Sequence, residues 1–292
     1  MYTEMHSNRC VQIALSFVVA VLWALAPNTS RASVIDLGPA GDYAILGLNG
    51  ATINLSSGPL RVNGNVGIGA GGHFNFSGGG QVSGRLDADP TAQISNGSAQ
   101  GVAGGVQTVN FSAIQAAALS ETVAAAALTP TQMFGSITNP ITINSTGAVN
   151  VIDVSSIHLS GGNFTLNGGP NDLFVVNDTG DFELSGNTNM LLSGGLTTNH
   201  VLFNFVGSGP QVQTSGQSFT VGTFLGVDRV FNINGGTHGG EFIGGLSLSF
   251  QSNPIVNQVR AVPLPTSLPM TAALVGLLGV GYLRRRQVAR QA

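Results

Sequence analysis

Lysine is absent from the chain, and its 292 residues include one cysteine and one tryptophan. Only 8% of the residues are charged. Each shortage excludes something. The single cysteine, Cys10, precedes an apolar run near the start, so the body that follows has no disulfide, no thiol nucleophile and no Cys-based zinc site. Its stability must come from burial and hydrogen bonding. All ten basic residues are Arg, and six of them (Arg9, Arg31, Arg284, Arg285, Arg286, Arg290) fall in the terminal segments. Against the other four, Arg61, Arg85, Arg229 and Arg260, stand twelve acids from Asp36 to Glu241, which leaves the body acidic by eight charges. Such a surface repels phosphate backbones, so no nucleic acid is expected as a partner.

What is abundant is glycine, with 42 residues, together with Asn, Ser and Thr. A short phrase recurs: FNFSGG from Phe74, IHLSGG from Ile157, FTLNGG from Phe164, FELSGN from Phe182, MLLSGG from Met190 and FNINGG from Phe231. Two apolar residues spaced by one point to the same side of a short strand, and the following Gly permits the positive φ of a tight corner. Ile53–Leu55, Leu60–Val62, Ile141–Ile143, Val201–Phe205 and Leu246–Phe250 read as further short strands. The repeated phrase favours a β-solenoid, in which each strand pairs with its counterparts above and below. A β-sandwich is the alternative, with Asn63-Gly64, Asn96-Gly97, Asn167-Gly168 and Asn234-Gly235 as its hairpin turns. One segment differs: Phe111 to Leu128 is Ala-rich without Gly or Pro, and Pro130 follows, which predicts a helix packed along the solenoid.

The segments IDLGPAGDYAILG (Ile35 to Gly47), VNGNVGIG (Val62 to Gly69), GGPNDLFVV (Gly168 to Val176), HVLFNFVGSG, VGTFLGVDR and GGEFIGG, in this order around the Ala-rich stretch, resemble the bacterial ice-binding-like β-solenoid family. The resemblance covers about Ile35 to Asn253. It implies an all-β fold, a right-handed parallel β-solenoid of triangular section with one long α-helix alongside. Members that bind ice use a flat face bearing short polar and hydroxyl side chains, without a fixed site motif. No Thr-x-Thr ladder at rung spacing is present here.

Few residues offer chemistry. Asp178, Asp181 and Glu183 form the densest acidic stretch, and Asp181 and Glu183 share a strand face, as a carbohydrate-active β-helix enzyme would require. No basic residue lies near them in sequence, and an ordinary exposed acidic pair is the simpler reading. The GGPNDL turn is similar to a calcium-binding solenoid turn, with Asp172, Asp178 and Asp181 as metal candidates, but such sites need the phrase in tandem and it occurs once. His73, His158, His200 and His238 are scattered, and His238 with Glu241 reads as part of a surface loop. The body is therefore expected to be non-enzymatic and to need no cofactor.

The ends carry address signals. Arg9, the apolar run Val11 to Ala26 and the small residues Ser30 and Ala32 predict a signal peptide over residues 1–32, cut by signal peptidase after Ala32. The body then spans 33–260 with its helix at about 111–128. At the other end, Val262-Pro263-Leu264-Pro265 precedes an apolar stretch, Met270 to Leu283, of about 21 Å of helix, and Arg284, Arg285 and Arg286 follow. Residues 261–292 resemble the PEP-CTERM sorting signal of Gram-negative bacteria, with Pro-Leu-Pro where Pro-Glu-Pro is usual. The resemblance implies transient retention in the inner membrane by a short transmembrane helix, recognition by an exosortase, and delivery to the cell surface or matrix. There the expected role is adhesion or exopolysaccharide and biofilm association, with binding of an ice surface as the alternative.

Overall fold

The computed structural model describes residues 35–56, 58–95 and 101–259. The expected cleavage point at Ala32 and the sorting residues Val262, Pro263, Pro265, Arg284, Arg285 and Arg286 lie outside the described residues, as does Asn96-Gly97. Among the described residues no helix is long and apolar enough to cross a membrane. The body is a parallel β-solenoid of about ten turns with one α-helix, α1 (Ser112–Ala126), along its side. All strand pairings among the described residues are parallel, which removes the sandwich. Asn63-Gly64, Asn167-Gly168 and Asn234-Gly235 therefore turn corners between faces instead of closing hairpins.

Strands stack in three columns, one per face. The helix face runs through Val106–Thr108, Leu86–Ala88, Val66–Ile68 and Ile45–Gly47. It continues through Thr237–Gly244, Phe219–Gly226, Val201–Phe205, Leu173–Asp178, Val149–Ser160 and Gln132–Ile137. The first described strand, Ile45–Gly47, thus lies in the middle of the stack, and those after it build outward to one end at Thr108. The chain crosses back through α1, restarts at the other end at Gln132, and returns until Phe242 pairs with Ile45.

The recurring phrase lays down these columns. Ile157, Phe182, Phe231 and Phe74 fall in one inward column, and Phe164 and Met190 in another. Apart from the pairings of the returning strands with Ile45–Gly47, Thr52–Ser56 and Arg61–Asn63, the step between paired rungs varies from 17 residues, Phe231 to Leu248, to 30, Phe182 to Val212, so no fixed period is visible in the sequence. Most phrase glycines are left-handed, as at Gly235 and Gly236 (φ 70° and 84°). A Cβ on Gly236 would stand 2.1 Å from the Ser218 carbonyl of the adjacent rung, so close stacking needs glycine there. FTLNGG departs: its Gly168 and Gly169 do not adopt positive φ, and the corner is held by Asp172, whose Oδ2 accepts from Gly169 N at 2.8 Å.

The core lies in two layers. Inside the solenoid the phenylalanines stack along the axis, Phe203 on Phe224 at 5.0 Å and Phe224 on Phe242 at 5.1 Å, with Phe182 edge-on to Phe203 and Phe224. Such pairs each add about 0.5–1.5 kcal/mol beyond burial. The second layer lies between α1 and the helix face, where Phe111, Ile114 and Ala118 meet Leu46, Val175, Leu202, Leu225 and Ile243. The buried stripe of α1 is Ile114, Ala118, Glu121 and Ala125, the 3–4 spacing of a helix face. Both layers belong to the compact unit Ser33–Leu264.

Candidate functional site

The three faces differ in what covers them. Between its end rungs the helix face is covered, and Leu173–Asp178 is buried at all positions, the pattern of a parallel strand covered on both sides. Asn side chains fasten α1 to it: Asn204 Nδ2 donates to Thr122 O (3.1 Å) and to Asn177 Oδ1 (2.9 Å), while Asn177 Nδ2 donates to Ala125 O (3.1 Å). The third face carries Arg61–Asn63, Asn163–Asn167 and Asn189–Ser193. A groove of about 680 Å³ interrupts it, lined by Leu191, Leu192, Leu196, Phe219 and Val221.

The remaining face is open and regular. Its strands are Gln93–Ile94, His73–Ser77, Thr52–Ser56, Ser247–Gln251, Val230–Asn234, Val212–Thr214, Phe182–Ser185 and the second half of Val149–Ser160, ending on Ser136 and Ile137 of Gln132–Ile137. Inward residues Phe74, Ile53, Leu248, Phe231, Phe182 and Ile157 anchor each strand in the core. Alternation turns the residue after each outward, giving a middle row of Asn75, Asn54, Ser249, Asn232, Gln213, Glu183 and His158. Beside it run His73, Thr52 and Ser247 on one flank and Ser77, Ser56 and Gln251 on the other. Neighbouring strands lie about 4.8 Å apart and successive outward residues about 6.7 Å apart, so the side chains form a lattice.

Hydrogen bonds hold that lattice still. Asn75 Nδ2 donates to Asn54 Oδ1 at 2.9 Å, and Ser95 Oγ donates to Asn75 Oδ1. Asn232 Nδ2 donates to Gln211 Oε1, and Gln251 Nε2 to Ser249 Oγ at 3.0 Å. Charge appears only toward one end. There His158 stands between two carboxylates, its Nε2 3.3 Å from Asp181 Oδ2 and its Nδ1 3.7 Å from Glu183 Oε2. The acidic pair thus has a partner that sequence separation concealed, brought by the pairing of His158 with Glu183. All three side chains are about 40% exposed on a strand face.

The other sequence candidates disperse. Asp172 serves the corner above, where hydrogen bonds from Ser145 and Gly169 hold its carboxyl below the usual range. Asp178 is fully buried, and burial pushes its carboxyl up to about 6 despite the Gly180 amide at 2.9 Å and the charge of Arg229. Asp181 is on the open face with His158. Among the described residues no group of three or more His, Cys, Asp or Glu is arranged to hold a metal. His200 closes a short turn with Thr197 Oγ1 at 3.0 Å, and His73 is exposed on the open face.

His238 requires a correction. It is a fully buried strand residue, not part of a surface loop, because the pairing of Thr237–Gly244 with Phe219–Gly226 turns it into the core. Its Nε2 donates to Gly235 O at 2.9 Å, which leaves Nδ1 to accept from Thr220 Oγ1 at 2.8 Å. Burial pulls its pKa down to about 4, so the ring is neutral. Glu241 is buried as well.

Two polar groups escaped the sequence reading. Arg229 is fully buried and donates to the carbonyls of Gly180, Val206, Gly207 and Pro210 at 2.7–3.1 Å, tying successive rungs at the corner beside the open face. Glu121 sits on the buried stripe of α1 with its carboxyl pushed up to about 7 by burial. Neither has a local signal, since the partners come from distant rungs or from another layer.

No family model matches the chain, and no curated protein matches it. Solved structures share its fold. An ice-binding protein from the Antarctic ascomycete Antarctomyces psychrotrophicus is 18% identical with a TM-score of 0.55, covering 77% of this chain and 98% of that one. A glycosylated ice-binding protein from an Arctic yeast is 18% identical with a TM-score of 0.57, covering 80% and 96%. An ice-binding protein from an Antarctic bacterium of the Flavobacteriaceae is 18% identical at a TM-score of 0.54, covering 80% of this chain and 48% of that chain.

Proposed function

We propose that this chain is a non-catalytic, exported protein that binds the surface of ice through its open face. The observation that carries the reading is the lattice of short polar side chains on that face, held in place by hydrogen bonds within and between rungs. Binding to a crystalline surface gains from many weak, simultaneous contacts only if the groups are ordered beforehand, since ordering each side chain on binding costs about 0.5–1.5 kcal/mol. Short Asn, Ser and Thr side chains on a paired backbone lose little. The fold shared with solved ice-binding proteins supports the same reading.

The test is ice recrystallisation inhibition and thermal hysteresis by the purified unit Ser33–Leu264. Asn54→Tyr, which raises a bulky ring in the middle row, should abolish the effect while leaving thermal unfolding unchanged. Thr165→Tyr on the third face should keep it. No effect from the parent protein at high concentration sinks the proposal.

A second reading, surface attachment through exopolysaccharide, is favoured by the His158, Asp181 and Glu183 cluster, because carboxylates and imidazole accept and donate to sugar hydroxyls. The signal peptide and the sorting tail with Val262, Pro263 and Pro265 serve delivery in either reading. Processing by an exosortase is tested by the mass of the mature protein in cells with and without that enzyme.

A further inference from the structure

The two ends of the solenoid carry strand edges without a partner among the described residues. Among the described residues, Val106–Thr108 pairs only with Leu86–Ala88, and Gln93–Ile94 only with His73–Ser77. At the opposite end Gln132–Ile137 pairs only with Val149–Ser160, and Ile141–Asn144 only with Asn163–Asn167. Exposed edges of this kind pair with other chains unless charge, proline or a covering element blunts them. Here charge is missing: no Asp, Glu, Lys or Arg occurs from Thr91 through Ser120 or from Thr122 through Ile152, the stretches that contain both end rungs. The inward residues at the ends are also incompletely covered, with Val106 43% exposed at one end and Phe134 half-buried at the other.

The two ends match in register. Following the pairings through the stack, Ile94 and Ile137 occupy the same inward column, and so do Val102 and Ile141. Gln107 and Met133 occupy the same outward row of the helix face. A second copy shifted along the axis therefore continues the columns with its strands parallel: apolar residues meet in the inward columns of the other two faces, while on the helix face Val106 meets Gln132 and Thr108 meets Phe134.

We propose that copies of this chain stack end to end, the rung of Gln132–Ile137 and Ile141–Asn144 of one copy resting on the rung of Gln93–Ile94, Val102 and Val106–Thr108 of the next. The contact joins two different surfaces, so it propagates into an open-ended assembly instead of closing as a dimer. It also places Gln93 of one copy beside Ser136 of the next, which lengthens the open face. That consequence rests on the ice-binding reading; the stacking itself does not.

Sedimentation velocity of the unit Ser33–Leu264 in ice-free buffer reads the association directly, so it is independent of any ice assay. The expected result is a weight-average sedimentation coefficient that climbs with concentration past that of a dimer. Gln107 and Met133 are exposed and point outward, so their replacement leaves folding intact, as circular dichroism will verify. Q107E/M133E, which sets like charges across the contact, should stay monomeric, and Q107K/M133E should recover association in a salt-sensitive manner. A parent protein that remains a monomer at every concentration, or a Q107E/M133E variant that associates like the parent, overturns the proposal.

Discussion

Replacing Glu121 by Gln should weaken the fold slightly in acid and strengthen it in base. Glu121 lies on the buried stripe of α1, where its Oε2 accepts from Asp36 N at 3.1 Å and its Oε1 has no hydrogen-bond partner among the described residues. Burial, with a smaller push from the Asp36 charge, raises its pKa from 4.5 to about 7. A folded-state pKa above the unfolded one means that its contribution to stability is intact below pH 4.5 and is lost as pH rises through 7. The gap corresponds to about 3 kcal/mol of ionisation penalty in base. Gln keeps the acceptor for Asp36 N and never ionises, but its amide nitrogen inherits the empty position of Oε1, at a cost of about 1 kcal/mol at any pH. The variant should therefore be less stable by about 1 kcal/mol near pH 4 and more stable by about 2 kcal/mol near pH 9. Urea unfolding of both proteins across this range gives the difference directly, and other titrating groups such as Asp178 cancel in it. A difference that does not change with pH, or that falls as pH rises, refutes the assignment of a strained buried carboxyl under the helix.

Two further effects follow from buried polar groups. His238 is held neutral with its pKa pulled from 6.5 to about 4, so its contribution is present above pH 6.5 and is lost as pH falls through 4. His238→Gln should lose about 3 kcal/mol less between those limits than the parent does, as acid unfolding monitored by circular dichroism would register. At Gly209 a Cβ would lie 2.3 Å from Arg229 Nη1, while at Gly135 it would meet nothing within 4 Å. Gly209→Ala should cost about 3 kcal/mol or more by displacing a buried guanidinium from its carbonyls, and Gly135→Ala should leave the thermal midpoint within error.

The strands and the helix were legible because their signals are local. Phe182-Glu183-Leu184 carries its own inward and outward assignment, and the Ala-rich run from Ser112 needs no partner to favour helix. The rung register was not legible, because corners absorb different numbers of residues, and the pairing of Phe182 with Val212 leaps a longer loop than that of Phe231 with Leu248. The order of rungs was hidden as well, since the final strands return to pair with Ile45–Gly47 and Arg61–Asn63. For the same reason the open face could not be assembled in advance: Asn54 and Ser249 are neighbours there and lie almost at opposite ends of the described chain. His238 was misplaced because NGGTHGGEF has the composition of a loop, while stacking on Phe219–Gly226 makes it a strand whose glycines allow close approach. At Gly240 a Cβ would stand 1.8 Å from the Gly222 carbonyl.

The shortages of the sequence and the character of the open face have one physical cause in common. A face that presents an ordered lattice cannot carry long, mobile, strongly hydrated side chains, and lysine combines a flexible four-carbon stem with the more strongly hydrated charge. The chain has none. The described arginines are also kept away: Arg61 is on the third face, Arg85 is bound to Asp87 at 2.7 Å, and Arg229 is buried. Beneath the face, Phe74, Phe231 and Phe250 fill the inward positions, so the strands above them have no voids to sag into. Above them, Asn54 and Asn75 spend part of their hydrogen-bonding capacity on each other, which fixes the direction in which the rest points to solvent. The charged trio of His158, Asp181 and Glu183 breaks the pattern near one end. The middle row is therefore free of ionisable side chains from Asn75 to Gln213 and gives way to Glu183 and His158 beyond it.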